Sequence, residues 1–73
     1  MTQYQFTVVY ETDEDGRVLA ICPALPGCYT EGETLEEAEE LIHDAIRLHI
    51  EDRMARGEPI YKELSNAQVR VAV

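Results

Sequence analysis

The chain has 73 residues, with 15 acids against six bases and a formal net charge of −9. A single domain this short buries only about 60% of the surface it exposes when unfolded, which excludes a deep pocket and favours support from another protein. The charge disfavours a nucleic-acid partner, because phosphate binding draws its affinity from Lys and Arg, and favours a basic protein. The imbalance is also uneven: residues 1–44 hold eleven acids and one base, Arg17, whereas residues 45–73 hold four acids and five bases.

An apolar fraction of 45% suits a folded globule. No apolar run approaches the ~20 residues of a membrane span. The polar N-terminus enters a strand pattern at once, without a signal-peptide pattern, so a cytoplasmic location is expected. Cys22 and Cys28 are then free thiols in a reducing compartment. Their spacing fits neither a Cys-x-x-Cys redox pair nor a zinc set, and a disulfide requires their two strands to pair.

Tyr4, Phe6, Val8 and Tyr10 alternate with Gln5, Thr7, Val9 and Glu11, which predicts a half-buried first strand over residues 4–11. Asp13-Glu14-Asp15-Gly16 is a turn, because a calcium loop needs glycine at its sixth position and Glu at its twelfth. Residues 17–22 form a second strand, antiparallel to the first. Pro23 to Gly27 contains two prolines, each lacking an N–H, and is a stiff connection. Residues 28–31 are a short third strand that Gly32 ends.

Thr34 with Glu37 forms a capping box and starts a helix over 34–56. Leu35, Ala38, Leu41, Ile42, Ala45, Ile46, His49 and Arg53 form its apolar stripe, and acids fill the remainder of its first half. Gly57 and Pro59 stop it. After a weakly patterned linker, Val69, Val71 and Val73 alternate with Arg70 and Ala72, predicting a last strand parallel to the first and beside it. The order β-β-β-α-β defines an α+β fold, an antiparallel sheet with one long helix packed on a face. Residues 1–73 are read as one domain, with no separate DNA-binding domain.

Chemistry in the narrow sense finds few candidates. His43 and His49 stand about 240° apart on a helix and cannot share a proton or a ligand. Neither cysteine has an adjacent base or cation to activate it. Glu33, Glu36, Glu37 and Glu40 follow one another along one surface and do not converge from several elements as a Mg²⁺ site does. No enzyme activity, cofactor or metal is expected. The readings that follow are a binding module, a homo-oligomer without another partner, and a degenerate metal-dependent nuclease.

Residues 23–38 carry the pattern P-x-L-P-G-C-x-T-x-G-x-T-x-E-E-A, formed by Pro23, Leu25, Pro26, Gly27, Cys28, Thr30, Gly32, Thr34, Glu36, Glu37 and Ala38. An acidic turn, DEDG, precedes it, and GEPI follows the helix at residues 57–60. From about residue 4 to 60 the chain resembles the HicB-like antitoxin family, with Ala24 and Glu33 in positions where aspartate is commoner. The resemblance implies a fold akin to a truncated ribonuclease H sheet. It also implies inhibition of a small basic HicA-like toxin that cleaves mRNA, by protein–protein contact, and assembly into a homodimer or higher homo-oligomer. Many family members repress their operon through a C-terminal DNA-binding domain, which is not expected here. Contact with the toxin is assigned to Tyr29, Glu31, Glu33, Glu36, Glu37 and Glu40. Pro23, Leu25, Pro26, Gly27, Cys28, Gly32 and Thr34 form the structural motif.

Overall fold

The computed structural model describes residues 3–73. Three strands, β1 (Val9–Thr12), β2 (Val18–Ile21) and β3 (Tyr29–Gly32), are followed by a helix, α1 (Leu35–Ala55). The strands form an antiparallel sheet in the order β1-β2-β3, and α1 packs across β2 and β3 on one face. This is the α+β arrangement expected from the alternation and the helical stripe.

The β1–β2 turn is built by one carboxylate. Asp13 Oδ1 accepts hydrogen bonds of 2.9 Å from the backbone N–H of both Asp15 and Arg17. Gly16 sits at φ 81°, the left-handed region that a side chain disfavours. The Arg17 N–H, foremost, holds the Asp13 carboxyl below its ordinary range. The acidic turn is therefore a hairpin device.

The connection from β2 to β3 is two turns in series. Leu25 N–H donates to the Cys22 carbonyl at 3.1 Å, and Cys28 N–H to the Leu25 carbonyl at 2.9 Å. Each turn has proline at its second position, and Gly27 at φ 82° gives the second turn its type II form. Leu25, shared by both turns, drops into the core at 1% exposure. Around it lie Ala20, Cys22, Cys28, Ala38 and Ile42, all buried.

Thr34 caps α1: its hydroxyl accepts from the Glu37 N–H at 3.1 Å. The Glu37 carboxylate reaches back to the Glu33 N–H at 3.4 Å. At the other end, Gly57 N–H bonds the Met54 carbonyl and Glu58 N–H the Arg53 carbonyl, the double bond of a Schellman ending with Gly57 at φ 70°. Leu35 and Leu41, expected on the buried stripe, are exposed, because the helix meets a sheet only three strands wide.

Two strand predictions are corrected. The first strand begins at Val9 rather than Tyr4. Its predicted first half loses its ladder where Pro23 turns the neighbouring chain away, although Tyr4 and Phe6 still stack on one side with ring centroids 6.2 Å apart. The last strand over residues 69–73 is not formed: residues 58–73 carry no regular structure, and Val69, Val71 and Val73 are exposed. Alternating valines supply strand propensity but no partner, and β structure requires one.

Of the four glycines, only Gly32 is closely packed. A Cβ built there meets the Ala38 backbone N at 2.8 Å and Glu37 Cβ at 3.2 Å. Gly32→Ala should therefore lower stability by roughly 1–3 kcal/mol, the range for overpacking a tight contact. Urea denaturation of the two chains measures this, and an unchanged midpoint would show that the helix start yields freely.

Candidate partner-binding surface

The helix divides the sheet into a covered and an open face. Ala20 and Cys22 turn toward α1 and are buried, so Leu19 and Ile21 turn the other way and are half-buried. The register aligns Val9, Ile21 and Tyr29 in one row across all three strands of this open face. The next row is Glu11, Leu19 and Glu31. Tyr29 is 65% exposed at the outer strand. The result is a small apolar strip with an aromatic at one end and carboxylates along its border. Arg17 pairs with Glu31, Nε to Oε1 at 3.1 Å, which neutralises one of those carboxylates locally.

The six residues assigned to partner contact do not share one plane. Tyr29 and Glu31 lie on the open face. Glu33 sits at the corner after β3. Glu36 and Glu40 stand about 160° and 200° around the helix from the sheet-facing Ala38, so they point away from the sheet. Glu37 is occupied at the helix cap. Val9, Leu19 and Ile21 were absent from the expected set. Their signal was present in the strand alternation, which places Val9 among the polar positions of β1.

A second apolar surface lies on the helix side. Because α1 sits over β2 and β3, Phe6, Val8 and Tyr10 face Ile42, Ile46 and Ile50 across a groove of about 710 Å³. Glu39, His43, Arg47 and Glu51 border it. Burial, and then the Glu39 charge, raise the Tyr10 hydroxyl above its ordinary value.

Cys22 and Cys28 face each other at the base of the proline loop, with Cys22 N–H to the Cys28 carbonyl at 3.0 Å. Their strands do pair, and both thiols are free and buried. Burial raises both thiols above their ordinary range, which opposes nucleophilic or redox reactivity. His43 is exposed, with Nδ1 3.8 Å from Asp44 Oδ1, and His49 is half-buried at the core edge. Among the described residues no three His, Cys, Asp or Glu side chains group as metal ligands. Among the described residues no helix is long and apolar enough to cross a membrane.

Residues 61–68 run past Thr7, Pro23 and Ala24. Glu63 clasps this segment to the sheet: its carboxylate accepts from the Thr7 N–H at 2.8 Å and from the Thr7 hydroxyl. Asn66 Nδ2 adds bonds to Glu63 at 2.8 Å and to Thr7 at 3.2 Å.

The open face of this small acidic α+β module thus combines an apolar strip with an acidic border. The chain belongs to the family described as HicB_like antitoxin of bacterial toxin-antitoxin system, matched over residues 6–72. It is 45% identical over 60 residues to the UPF0150 protein ssr1765 of Synechocystis sp., covering 82% of this chain and 76% of that one. It is 42% identical over 59 residues to the UPF0150 protein Ta0767 of Thermoplasma acidophilum, covering 81% and 86%. A UPF0150 protein of Archaeoglobus fulgidus is 43% identical over 47 residues, covering 64% and 68%. No solved structure matches the chain significantly.

The Thr7 hydroxyl, foremost, holds the Glu63 carboxyl below its ordinary range. A depressed carboxylate stabilises the fold above its unfolded pKa of about 4.3, and that contribution is lost as pH falls through the lower folded value. Hydrogen exchange at the Thr7 amide should therefore be slow at neutral pH and lose protection in acid, below about pH 4. In Glu63→Ala the amide should be unprotected at both. Equal protection in wild type and variant at neutral pH would show that the clasp does not hold this segment.

Proposed function

We propose that the protein is an antitoxin that inhibits a small, basic, HicA-like mRNA-cleaving toxin by direct contact, through the open sheet face and the β3 side of the molecule. Family membership supports the antitoxin role. The observation that carries the contact surface is the Val9–Ile21–Tyr29 strip, bordered by Glu11 and Glu31. Exposed aromatics beside apolar neighbours are the usual anchors of an interface, with tyrosine prominent among them. A basic partner meets carboxylates along the next row of that face, at Glu11 and Glu31.

The acids then divide into two roles. Glu31 and Glu33 lie beside Tyr29 and meet the toxin directly. Glu36 and Glu40, on the far side of the helix, contribute field rather than contact: they draw a basic protein in and speed encounter. Glu37 serves the helix cap. This revises a reading in which all five glutamates form a single contact patch. In the cytoplasm, such a complex would silence the toxin until the antitoxin is removed. No specific observation favours the nuclease alternative.

The test starts with the product of the neighbouring reading frame, co-purified with this chain and assayed for RNA cleavage with and without it. Tyr29→Ala should raise the dissociation rate more than about tenfold and restore cleavage. Glu36→Lys with Glu40→Lys should instead slow association and flatten its salt dependence, leaving dissociation nearly unchanged. If Tyr29→Ala leaves the complex intact while the double reversal abolishes it, the contact lies on the helix and the sheet-face proposal is wrong.

A further inference from the structure

We infer that Cys22 and Cys28 are a reversible redox latch, oxidised by a small disulfide to an internal disulfide bond that locks the proline loop shut. The register of β2 and β3 brings the two cysteines opposite each other. Ile21 is aligned with Tyr29, so the next pair is Cys22 with Cys28, and the Cys22 N–H bonds the Cys28 carbonyl at 3.0 Å. Opposed residues of an antiparallel pair share a face of the sheet. Here it is the face under α1, where both side chains are buried with Ala20, Leu25, Ala38 and Ile42. Hydrogen-bonded pairs of this kind stand about 5.5 Å apart between Cα atoms, inside the span of about 4.4–6.8 Å that a disulfide bridges. Joining the two sulfurs therefore asks for side-chain rotation rather than movement of a strand.

The loop has few other ties. The Cys22 carbonyl and the Cys28 N–H, which would make the second bond of the pair, are taken instead by the N–H and the carbonyl of Leu25. The loop thus hangs on two turn bonds, one ladder bond and the burial of Leu25. A covalent bond between its ends closes a ring over residues 22–28 that contains both turns and Leu25.

The two thiols differ in their surroundings. Burial raises Cys22, but the backbone N–H groups of Leu25 and Ala24 work against it, with the Glu63 charge opposing them. At Cys28 the neighbouring Cys22 charge adds to the effect of burial. Cys22 is therefore the thiol that attacks first, when the loop opens. Its thiolate attacks one sulfur of the small disulfide and expels a thiolate; the Cys28 thiolate then attacks the Cys22 sulfur of the mixed disulfide and expels the second. The cysteines give up two electrons and two protons, and the small disulfide leaves as two thiols. Excess thiol runs the exchange backwards and reopens the latch. The latch belongs to the loop and the core, so it stands independently of the toxin reading.

Glutathione disulfide added to the purified chain, followed by intact mass, thermal melting and hydrogen exchange, tests this. The expected product is a chain lighter by two hydrogens, with no link to a second chain, that excess glutathione reduces again. Its melting temperature should rise by at least about 5 °C. The Leu25 and Cys28 amides, which donate the turn bonds, should exchange more than about tenfold more slowly. Cys28→Ala should stop at the mixed disulfide with glutathione and show neither gain. An unreacted wild-type chain, glutathione adducts without the internal bond, or chains linked to each other would overturn the inference. So would an internal bond that lowers the melting temperature or leaves those two amides unchanged. These readings come from the wild-type chain, so they decide the question whether or not Cys28→Ala folds.

Discussion

The structure depends on how closely the start of α1 approaches the end of β3. Gly32 leaves no room for a side chain against the Ala38 backbone. That contact fixes the height of the helix above the sheet, and so the depth of the core beneath it. Thr34 and Glu37 secure the same corner by capping, so strand end, turn and helix start are set within a few residues. The proline loop works from the other end of β3. Its two turns deliver Leu25 to the core and return the chain at the register that pairs Ile21 with Tyr29. A domain this small has few buried side chains to share the load, which is why the signature residues cluster around these two corners.

The same geometry assigns the surface. With α1 over β2 and β3, one face of the sheet is left open, and a groove is left beside β1 on the other face. Acids line the border of the first and the solvent side of the helix. In the proposed complex a single charge excess acts in two ways: near Tyr29 it shapes a contact, and along α1 it sets a long-range field. Arg17 pairs with Glu31 and tempers that field on the open face itself.

Local signals were legible in the sequence. The Asp13–Gly16 hairpin, the proline turns, the capping box and the Gly57 stop each use residues whose conformational preference acts within a few positions. The helix ends fell within one residue of prediction for that reason. The strand ends were less legible, because a strand is defined by its partner. Tyr4 to Val8 alternate well and still lie outside the ladder, and Val69, Val71 and Val73 alternate without pairing to the sheet. For the partner surface, the sequence pointed to Tyr29 and the acids but not to their orientation. Contiguity in sequence made Glu31 through Glu40 look like one patch. The strand-to-helix corner at Gly32 divides them. Val9 and Ile21 became visible only when the register aligned them beside Tyr29.

The buried thiol pair has a further consequence. Cys22 and Cys28 sit on the two arms of the proline loop, at 1% and 2% exposure, with their thiols held in the less reactive protonated form. A small alkylating reagent reaches them only when the loop lifts Leu25 out of the core. The domain therefore carries its own clock for internal opening, since the labelling rate reports how often the two turns come apart.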